Sequence, residues 1–223
     1  MSFILNIDTA TQTSSVCLAK NDIPLRTSIN PSQKDSAAWL HFAINELLKN
    51  ENLSLQQLNA ISVTEGPGSY TGLRVGMATA KGLCYALNKP LITINTLHLM
   101  AFAASKMHSH LLCPMIDARR MEVFTAVFDC DLNLRLGPTN LILSENSFKE
   151  VLEGNHVVFF GSGSNKFQSI MKHPHGLFAN IEVDASSMAP ISYKKSLKLE
   201  VADLAYTQPF YGKDFHSSVK HSL

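Results

Sequence analysis

Charged residues, aromatic residues and long apolar runs are all scarce in this chain of 223 residues. Charged residues make up 17% and the net charge is +1, which disfavours a protein that holds nucleic acid alone on a wide basic face. The longest later apolar run, Leu97 to Ala104, is too short to span a bilayer. The first apolar stretch is interrupted by Asn6 and Asp8 and lacks the basic flank of a signal peptide. These absences predict a cytoplasmic protein without a membrane segment.

Cysteine is scarce as well, and its four copies form no CxxC pair. Each lies in apolar surroundings, which favours reduced core residues over a disulfide framework. Hydrophobic residues make up 45%, so a chain of this length can bury a sizeable core. Disorder and fibrous repeats are excluded by the same composition.

The order of predicted elements repeats between the two halves of the chain. In the first half, a meander of three strands precedes an amphipathic helix from Ser36, a strand, a glycine-rich loop and a helix that ends near Asn88. The second half repeats this order, with strands and one helix predicted over residues 111–116, 122–129, 141–143, 144–152 and 156–160. We therefore predict two similar α/β lobes, residues 1–108 and 109–223, with a partly helical tail that packs back on the first lobe.

The most specific local pattern is the glycine-rich segment from Thr64 to Gly76, which joins a predicted strand to a predicted helix. Gly66 and Gly68 permit a close backbone approach, and free amides at the helix start can bind an anion. The spacing matches neither GxGxxG nor a P-loop, because no Gly-Lys-Ser/Thr closes the loop. A tight strand-to-helix turn is the simpler interpretation, and an anion site is the functional one.

Two further segments could hold a nucleotide or another anion. Asp8 and Thr9 lie at the tip of the first two strands, where an Asx turn is the simpler interpretation. Gly161 and Gly163 follow a buried strand. With Gly66 and Gly68, these residues make up a candidate vestigial nucleotide or anion site.

The helix after the glycine-rich loop carries small residues at every fourth position, namely Gly72, Gly76 and Ala80. Each glycine inside a helix costs about 1 kcal/mol relative to alanine, so such a helix usually lets another backbone approach closely. That backbone belongs either to its own lobe or to a partner subunit. Arg74 and Lys81 would lie near the rim of the contact.

Two polar clusters remain open to more than one interpretation. His108, His110, His173 and His175, with Cys113, match no structural zinc spacing, and His41 lacks a second histidine four residues away, so we expect no metal site. Asp117, Arg119, Arg120 and Glu122 lie at a strand-to-strand turn. They form either a salt-bridged turn or the polar floor of a cleft between the lobes.

Three segments together resemble the bacterial TsaB (YeaZ) family: residues 3–11, 65–76 and 116–124, with Gly161 to Gly163 in support. The resemblance implies two actin-like ATPase (ribonuclease H-like) lobes, with duplicated mixed sheets flanked by helices. It also implies a role in forming threonylcarbamoyladenosine at position 37 of tRNAs reading ANN codons. In that family the paralogue TsaD carries a metal-binding histidine pair and does the chemistry, and TsaB is its non-catalytic partner.

The resemblance carries further expectations about partners and cofactors. A TsaE-type ATPase joins the pair, tRNA is reached only through the complex, and the chain forms a homodimer when alone. No cofactor is required by this chain, although ATP or ADP could be held in the complex. Spacing and resemblance together predict a partner interface at Trp39, Leu40, Gly72, Arg74, Gly76 and Ala80.

The chain departs from the family in two places, and other functions stay open. Pro31 to Ser36 replaces an Arg-x-His-Ser/Thr-like segment, and Pro209 to Lys213 keeps only the proline and tyrosine of Pro-x-Tyr-Leu-Arg. The main alternative is a small-molecule kinase or ATPase that places Asp8 and Thr9 at phosphate and Gly161 to Ser164 at adenosine. A scaffold without a ligand is another, and a metalloprotease is disfavoured because the histidine pair is missing.

Overall fold

The computed structural model describes residues 1–31 and 36–212, which form two lobes around two five-stranded sheets. The strands of the first lobe are β1 (Phe3–Asp8), β2 (Ser14–Lys20), β3 (Ile23–Asn30), β4 (Ala60–Gly66) and β5 (Leu91–Asn95). Those of the second lobe are β6 (Leu111–Asp117), β7 (Glu122–Phe128), β8 (Leu134–Ile142), β9 (Val157–Phe160) and β10 (Gly176–Ala179). The helices are α1 (Ser36–Asn50), α2 (Tyr70–Leu87), α3 (Thr96–Ser105), α4 (Lys149–Leu152), α5 (Ser164–Gln168) and α6 (Ala189–Leu197), with 3₁₀ turns at Leu55–Gln57 and Ala185–Met188.

The two sheets have the same topology. The first runs in the order β3-β2-β1-β4-β5 and the second in the order β8-β7-β6-β9-β10. In each sheet, the first three strands along the chain pair antiparallel with one another. The fourth strand pairs parallel with the first, and the fifth pairs parallel with the fourth. The duplicated mixed sheets predicted from the sequence are therefore confirmed.

The first sheet is buried on both faces because helices cover each of them. On one face, α1 and α2 bring Leu40, Ala43, Met77 and Ala80 against apolar side chains of the central strands. On the other face, α3, the second 3₁₀ turn and α6 cover Ile4, which lies in a separate apolar cluster. This double cover explains why β1 and β2 are nearly continuous buried runs.

Helix α3 is apolar on all sides because it lies between the two lobes. Leu99 packs into the cluster on the first sheet, whereas Leu97, Met100 and Ala101 pack with residues of the second sheet. A helix that is hydrophobic all round is expected to be buried. α3 therefore joins the two cores.

The chain returns to the first lobe after the second sheet. Ala202 pairs with Leu91 at the edge of β5, and residues 201–212, which we call the C-terminal strap, then follow α2. The Lys81 ammonium donates to the carbonyls of Ala205 and Thr207 at 3.3 Å and 2.9 Å. The Phe210 amide donates to the Glu65 carbonyl at 2.7 Å. The strap is therefore held on the first lobe mainly through hydrogen bonds of its backbone groups.

Three elements of the second lobe differ from the sequence prediction. The third strand spans Leu134–Ile142 rather than 141–143, because an exposed edge strand shows little apolar patterning. The helix predicted over 144–152 is reduced to α4, since the Ser147 hydroxyl accepts from the Ser144 amide at 2.9 Å and favours a turn there. β10 was not predicted at all, because its four residues follow a His-Pro-His segment that reads as a loop.

Two predictions need comment at the level of the fold. Leu40 is 0% exposed and lies in the core of the first lobe, so the prediction that it contacts a partner is wrong, while Trp39 is half-buried against the same cluster. Of the two departures from the family pattern, residues 32–35 and Lys213 lie outside the described residues. Among the helices described, none is long and apolar enough to cross a bilayer.

Replacing Leu40 by alanine is expected to lower the free energy of unfolding by about 2–5 kcal/mol, because it removes a buried side chain from a packed cluster. Phe42 lies on the same helix but is 66% exposed, so Phe42→Ala is the matched control and should change stability by less than about 0.5 kcal/mol. Urea unfolding of both variants measures the difference. Equal losses would contradict the assignment of the two helix faces.

Candidate functional site

The tip of β1 holds a buried carboxylate that is satisfied inside the lobe. Asp8 Oδ1 accepts the Ala10 amide at 3.1 Å and the Thr64 hydroxyl at 2.9 Å. Burial raises the pKa of the Asp8 carboxyl, the two hydrogen bonds oppose the rise, and the charge of Asp184 adds to it. Asp8 therefore organises the loop between β1 and β2.

The same loop packs directly on the start of α2. The Thr9 hydroxyl donates to the Gly72 carbonyl at 2.7 Å, and the Ser69 amide donates to the Ala10 carbonyl at 2.7 Å. A Cβ atom at Gly68 would overlap the Ala10 carbonyl, and one at Gly72 would overlap that of Thr9. The glycines at the helix start therefore serve the close packing of this loop on α2.

The small residues of α2 serve the lobe to which they belong. A Cβ atom at Gly76 would overlap the Thr9 hydroxyl, and Gly72, Gly76 and Ala80 are all buried. The prediction that these three residues meet a partner is therefore wrong, and the close backbone approach comes from β1. Gly82 differs, because among the described residues no heavy atom outside its own stretch of helix backbone lies within 4 Å of the position of its Cβ.

Gly66 and Arg74 hold the end of the C-terminal strap. Gly66 has a φ of +119°, and a Cβ atom there would overlap the Phe210 carbonyl. The Arg74 guanidinium lies 4.0 Å from the centre of the Tyr70 ring, and its Nε donates to the Tyr211 hydroxyl at 3.0 Å. The strap thus covers one side of Arg74, the exposed residue on α2 that was predicted at an interface.

In the second lobe, the loop after β9 packs on β6. Gly161 has a φ of +93°, and the Gly163 amide donates to the Met115 carbonyl at 2.9 Å. The Ser164 hydroxyl donates to the Gly161 carbonyl at 2.8 Å. The donors at Gly163 and Ser164 are therefore engaged within the lobe.

Two cavities lie in the cleft between the lobes. The larger, about 850 Å³, is lined by Gly161 and by neutral polar side chains, and its charged lining residues among those described are Glu182 and Asp184. The smaller, about 790 Å³, is lined by Gly68 and by Asp117 and Arg119. The larger cavity offers carboxylates and no described cation to a polyphosphate, which is unfavourable for an anion.

The turn between β6 and β7 faces the smaller cavity and is anchored by Lys166, which the sequence analysis missed. The Lys166 ammonium donates to Asp117 Oδ1 at 2.8 Å and to the carbonyls of Arg120 and Glu122 at 2.8 Å and 2.6 Å. Burial tends to raise the pKa of the Asp117 carboxyl, but the Lys166 hydrogen bond and the Arg119 amide lower it overall. Both interpretations of the turn hold, since it is salt-bridged and Arg119 lines the cleft. Lys166 lies 49 residues from Asp117, so no local pattern marks it.

The outward sides of α1 and α2 form one surface, because both helices pack on the same face of the first sheet. We call it the outer helix face, defined by Phe42, Arg74, Ala78, Gly82 and Tyr85. Phe42 is 66% exposed and Tyr85 is 84% exposed. Large exposed rings beside a glycine with open space mark a surface suited to protein contact.

The two sheets of the same topology, flanked by helices and separated by a cleft, form the duplicated actin-like (ribonuclease H-like) fold. A crystal structure of a Pseudomonas aeruginosa protein with similarity to peptidase YeaZ shares this fold, with a TM-score of 0.84, 22% identity and coverage of 96% of this chain and 100% of that one. The family model for TsaD, tRNA N6-adenosine threonylcarbamoyltransferase, matches residues 29–207. The chain belongs to this family.

Curated relatives agree with this placement over part of their length. The chain is 34% identical over 125 residues to the Bacillus subtilis tRNA threonylcarbamoyladenosine biosynthesis protein TsaB, covering 56% of this chain and 54% of that protein. It is 37% identical over 123 residues to the Haemophilus influenzae TsaB, covering 54% and 51%. The chain thus spans about half the length of the curated relatives it matches.

The same substitution at two glycines of α2 should have opposite effects on stability. Gly76→Ala places a methyl group against the Thr9 hydroxyl and is expected to lower the free energy of unfolding by about 1–3 kcal/mol. Gly82→Ala has open space and is expected to raise it by about 1 kcal/mol. Urea unfolding reports both values, and a gain at position 76 would contradict the packing of β1 on α2.

The buried carboxyl of Asp8 should give stability a pH dependence of defined sign. Above the ordinary carboxyl pKa of 3.8 and below the raised folded-state pKa, the folded chain keeps a proton that the unfolded chain has lost. The free energy of unfolding should therefore fall as the pH rises through this window. Asp8→Asn keeps the acceptor oxygen without the charge, so its unfolding free energy, measured from about pH 4 to about pH 7, should fall less than that of the natural chain. Identical pH profiles would rule out the raised pKa.

Proposed function

We propose that this chain is the non-catalytic partner of a TsaD-type paralogue and activates it in forming threonylcarbamoyladenosine at position 37 of tRNAs that read ANN codons. The relatives described above bear the name of that biosynthetic pathway, and the family model is that of the transferase itself. The observation that carries the proposed partner role is the outer helix face.

A non-catalytic role is supported by the state of the candidate nucleotide site. Asp8 and Thr9, which a kinase would place at phosphate, donate to or accept from groups of their own lobe. The charged residues among those described that line the larger cavity are Glu182 and Asp184, whose carboxylates would repel a polyphosphate. We infer that this chain requires no cofactor of its own, and that any ATP or ADP is held elsewhere in the complex.

A partner on the outer helix face is supported by the position of Gly82. A glycine inside a helix costs about 1 kcal/mol relative to alanine, and at Gly82 no described residue uses the space that the missing Cβ leaves. Phe42 and Tyr85 supply exposed aromatic rings of the kind that dominate binding energy at protein interfaces. A TsaD-type subunit would cover this face in the complex, and a second copy of the chain would cover it otherwise.

The remaining partners follow from the same role. A TsaE-type ATPase would join the pair, and tRNA would be reached through the complex because the chain has a net charge of only +1. We place the chain in the cytoplasm, where tRNA is modified. Its free cysteines, of which Cys17, Cys84 and Cys113 are buried, fit a reducing compartment.

Filling the open space at Gly82 should separate partner binding from folding. Gly82→Trp is expected to leave the melting temperature of the isolated chain nearly unchanged. It should weaken association with the TsaD-type subunit by about tenfold or more, because the ring prevents close helix contact. Co-purification and the yield of threonylcarbamoyladenosine in a reconstituted reaction measure the two effects.

The matched control is Gly137→Trp, since Gly137 also has open space at its Cβ position but lies on the edge strand β8. It should behave as the natural chain in both assays. Normal co-purification of Gly82→Trp would refute the proposed interface. Equal product yields with and without this chain would refute the proposed activation, whatever the interface.

A further inference from the structure

Three histidines lie side by side at one end of the second sheet, away from the cleft. His110, His156 and His175 each precede the first residue of a strand: β6, β9 and β10. Those first residues, Leu111, Val157 and Gly176, are paired in register. The Leu111 amide donates to the His156 carbonyl at 3.1 Å, and the Val157 amide donates to that of His175 at 3.0 Å. Adjacent parallel strands therefore hold the three imidazoles at strand spacing.

The ring distances follow from this register. The centroids of His156 and His175 are 4.5 Å apart, and those of His110 and His156 are 5.3 Å apart. None of the three rings is fully buried, so a solute can reach them. The proximity of these histidines cannot be predicted from their spacing in the sequence. His110 and His156 are separated by 45 residues, and the pairing of β6 with β9 brings them together.

Hydrogen bonding prepares one of these rings as a ligand. His175 Nδ1 lies 3.0 Å from the Leu152 carbonyl, which can only accept, so Nδ1 carries the proton and Nε2 keeps its lone pair. A carbonyl on the far nitrogen is the usual support of a metal-bound histidine. The neighbouring His173 differs, because its Nδ1 accepts the His175 amide at 3.2 Å and is already engaged.

We propose that His156 and His175 form a two-imidazole site for a divalent transition-metal ion of the Zn²⁺ or Cu²⁺ class, with His110 beside it and water completing the coordination. In the described part of the chain no three ligand side chains converge on one position, which is why the site rests on a pair. Imidazole nitrogen favours Zn²⁺ and Cu²⁺ over Mg²⁺ and Ca²⁺, which prefer oxygen.

Cys113, which the sequence analysis grouped with His110 and His175, takes no part. It is buried within β6, its Sγ lies 3.3 Å from the Thr125 hydroxyl, and burial raises the pKa of the thiol to about 12. A bound ion would instead tie the start of β10, a four-residue edge strand, to β9. An ion that binds only the folded chain stabilises it by mass action.

The test uses the full chain without a polyhistidine tag, titrated with ZnCl₂ in a calorimeter and melted with and without the ion. We expect saturable binding and a higher melting temperature with ZnCl₂, and neither effect with MgCl₂. His156→Ala and His175→Ala should each weaken Zn²⁺ binding by about tenfold or more. The control, His41→Ala, removes an exposed histidine on α1 and should bind as the natural chain does.

A spectroscopic measurement keeps the proposal open to refutation if a variant folds poorly. The electron paramagnetic resonance spectrum of Cu²⁺ bound to the natural chain should show coupling to two imidazole nitrogens. Circular dichroism without metal reports whether each variant is folded. The proposal would be overturned if the natural chain bound Zn²⁺ with no more heat than a folded His156→Ala variant. It would also be overturned if His41→Ala weakened Zn²⁺ binding as much as His156→Ala does. Since the partner role does not depend on these histidines, either result leaves it unaffected.

Discussion

The contact between Thr9 and Gly72 sets the geometry on which the rest of the first lobe depends. A hydrogen bond of 2.7 Å from the Thr9 hydroxyl to the helix backbone is reached because two successive turns of α2 present glycines, Gly72 and Gly76, to the tip of β1. That distance fixes how deeply α2 lies on the sheet. It thereby fixes which side of the helix is left facing outward and where the C-terminal strap can run.

One consequence is that the chain uses for packing the residues that could have bound an anion. Amides and small residues after a strand are suited to phosphate, but here the Ser69 amide donates to the Ala10 carbonyl, and Gly72 packs against the Thr9 carbonyl. The same arrangement leaves the opposite side of α2 accessible. Gly72 and Gly76 pack on the tip of β1, whereas Gly82 and Tyr85 stay exposed.

The sequence predicts the architecture well because its strongest signals are local. Buried strands such as β1 and β9 are short apolar runs, and α2 is bounded by a capping Ser69 and by Asn88, whose φ of 52° ends the helix before Pro90. The edge strand β8 was predicted poorly, because its residues are mostly exposed and do not alternate between apolar and polar. Such a strand forms through pairing with its neighbour rather than through a pattern in its own sequence.

The candidate site could be predicted only in part, for a related reason. A glycine pattern shows that some backbone comes close, but it does not show which one, so Gly76 was assigned to a partner when β1 fills the space. Neither the role of Lys166 nor the position of His156 between His110 and His175 could be found, because the fold brings these residues to their neighbours across long stretches of sequence.

The path of the C-terminal strap also bears on how the chain is made. Because α6 and residues 201–212 complete the cover of the first sheet, the second lobe is in topological terms an insertion within the first. During synthesis on a ribosome the first lobe emerges early but lacks α6 until the second lobe has been translated. The second lobe, whose strands are contiguous from β6 to β10, can close its sheet sooner, so the order of completion is the reverse of the order of synthesis.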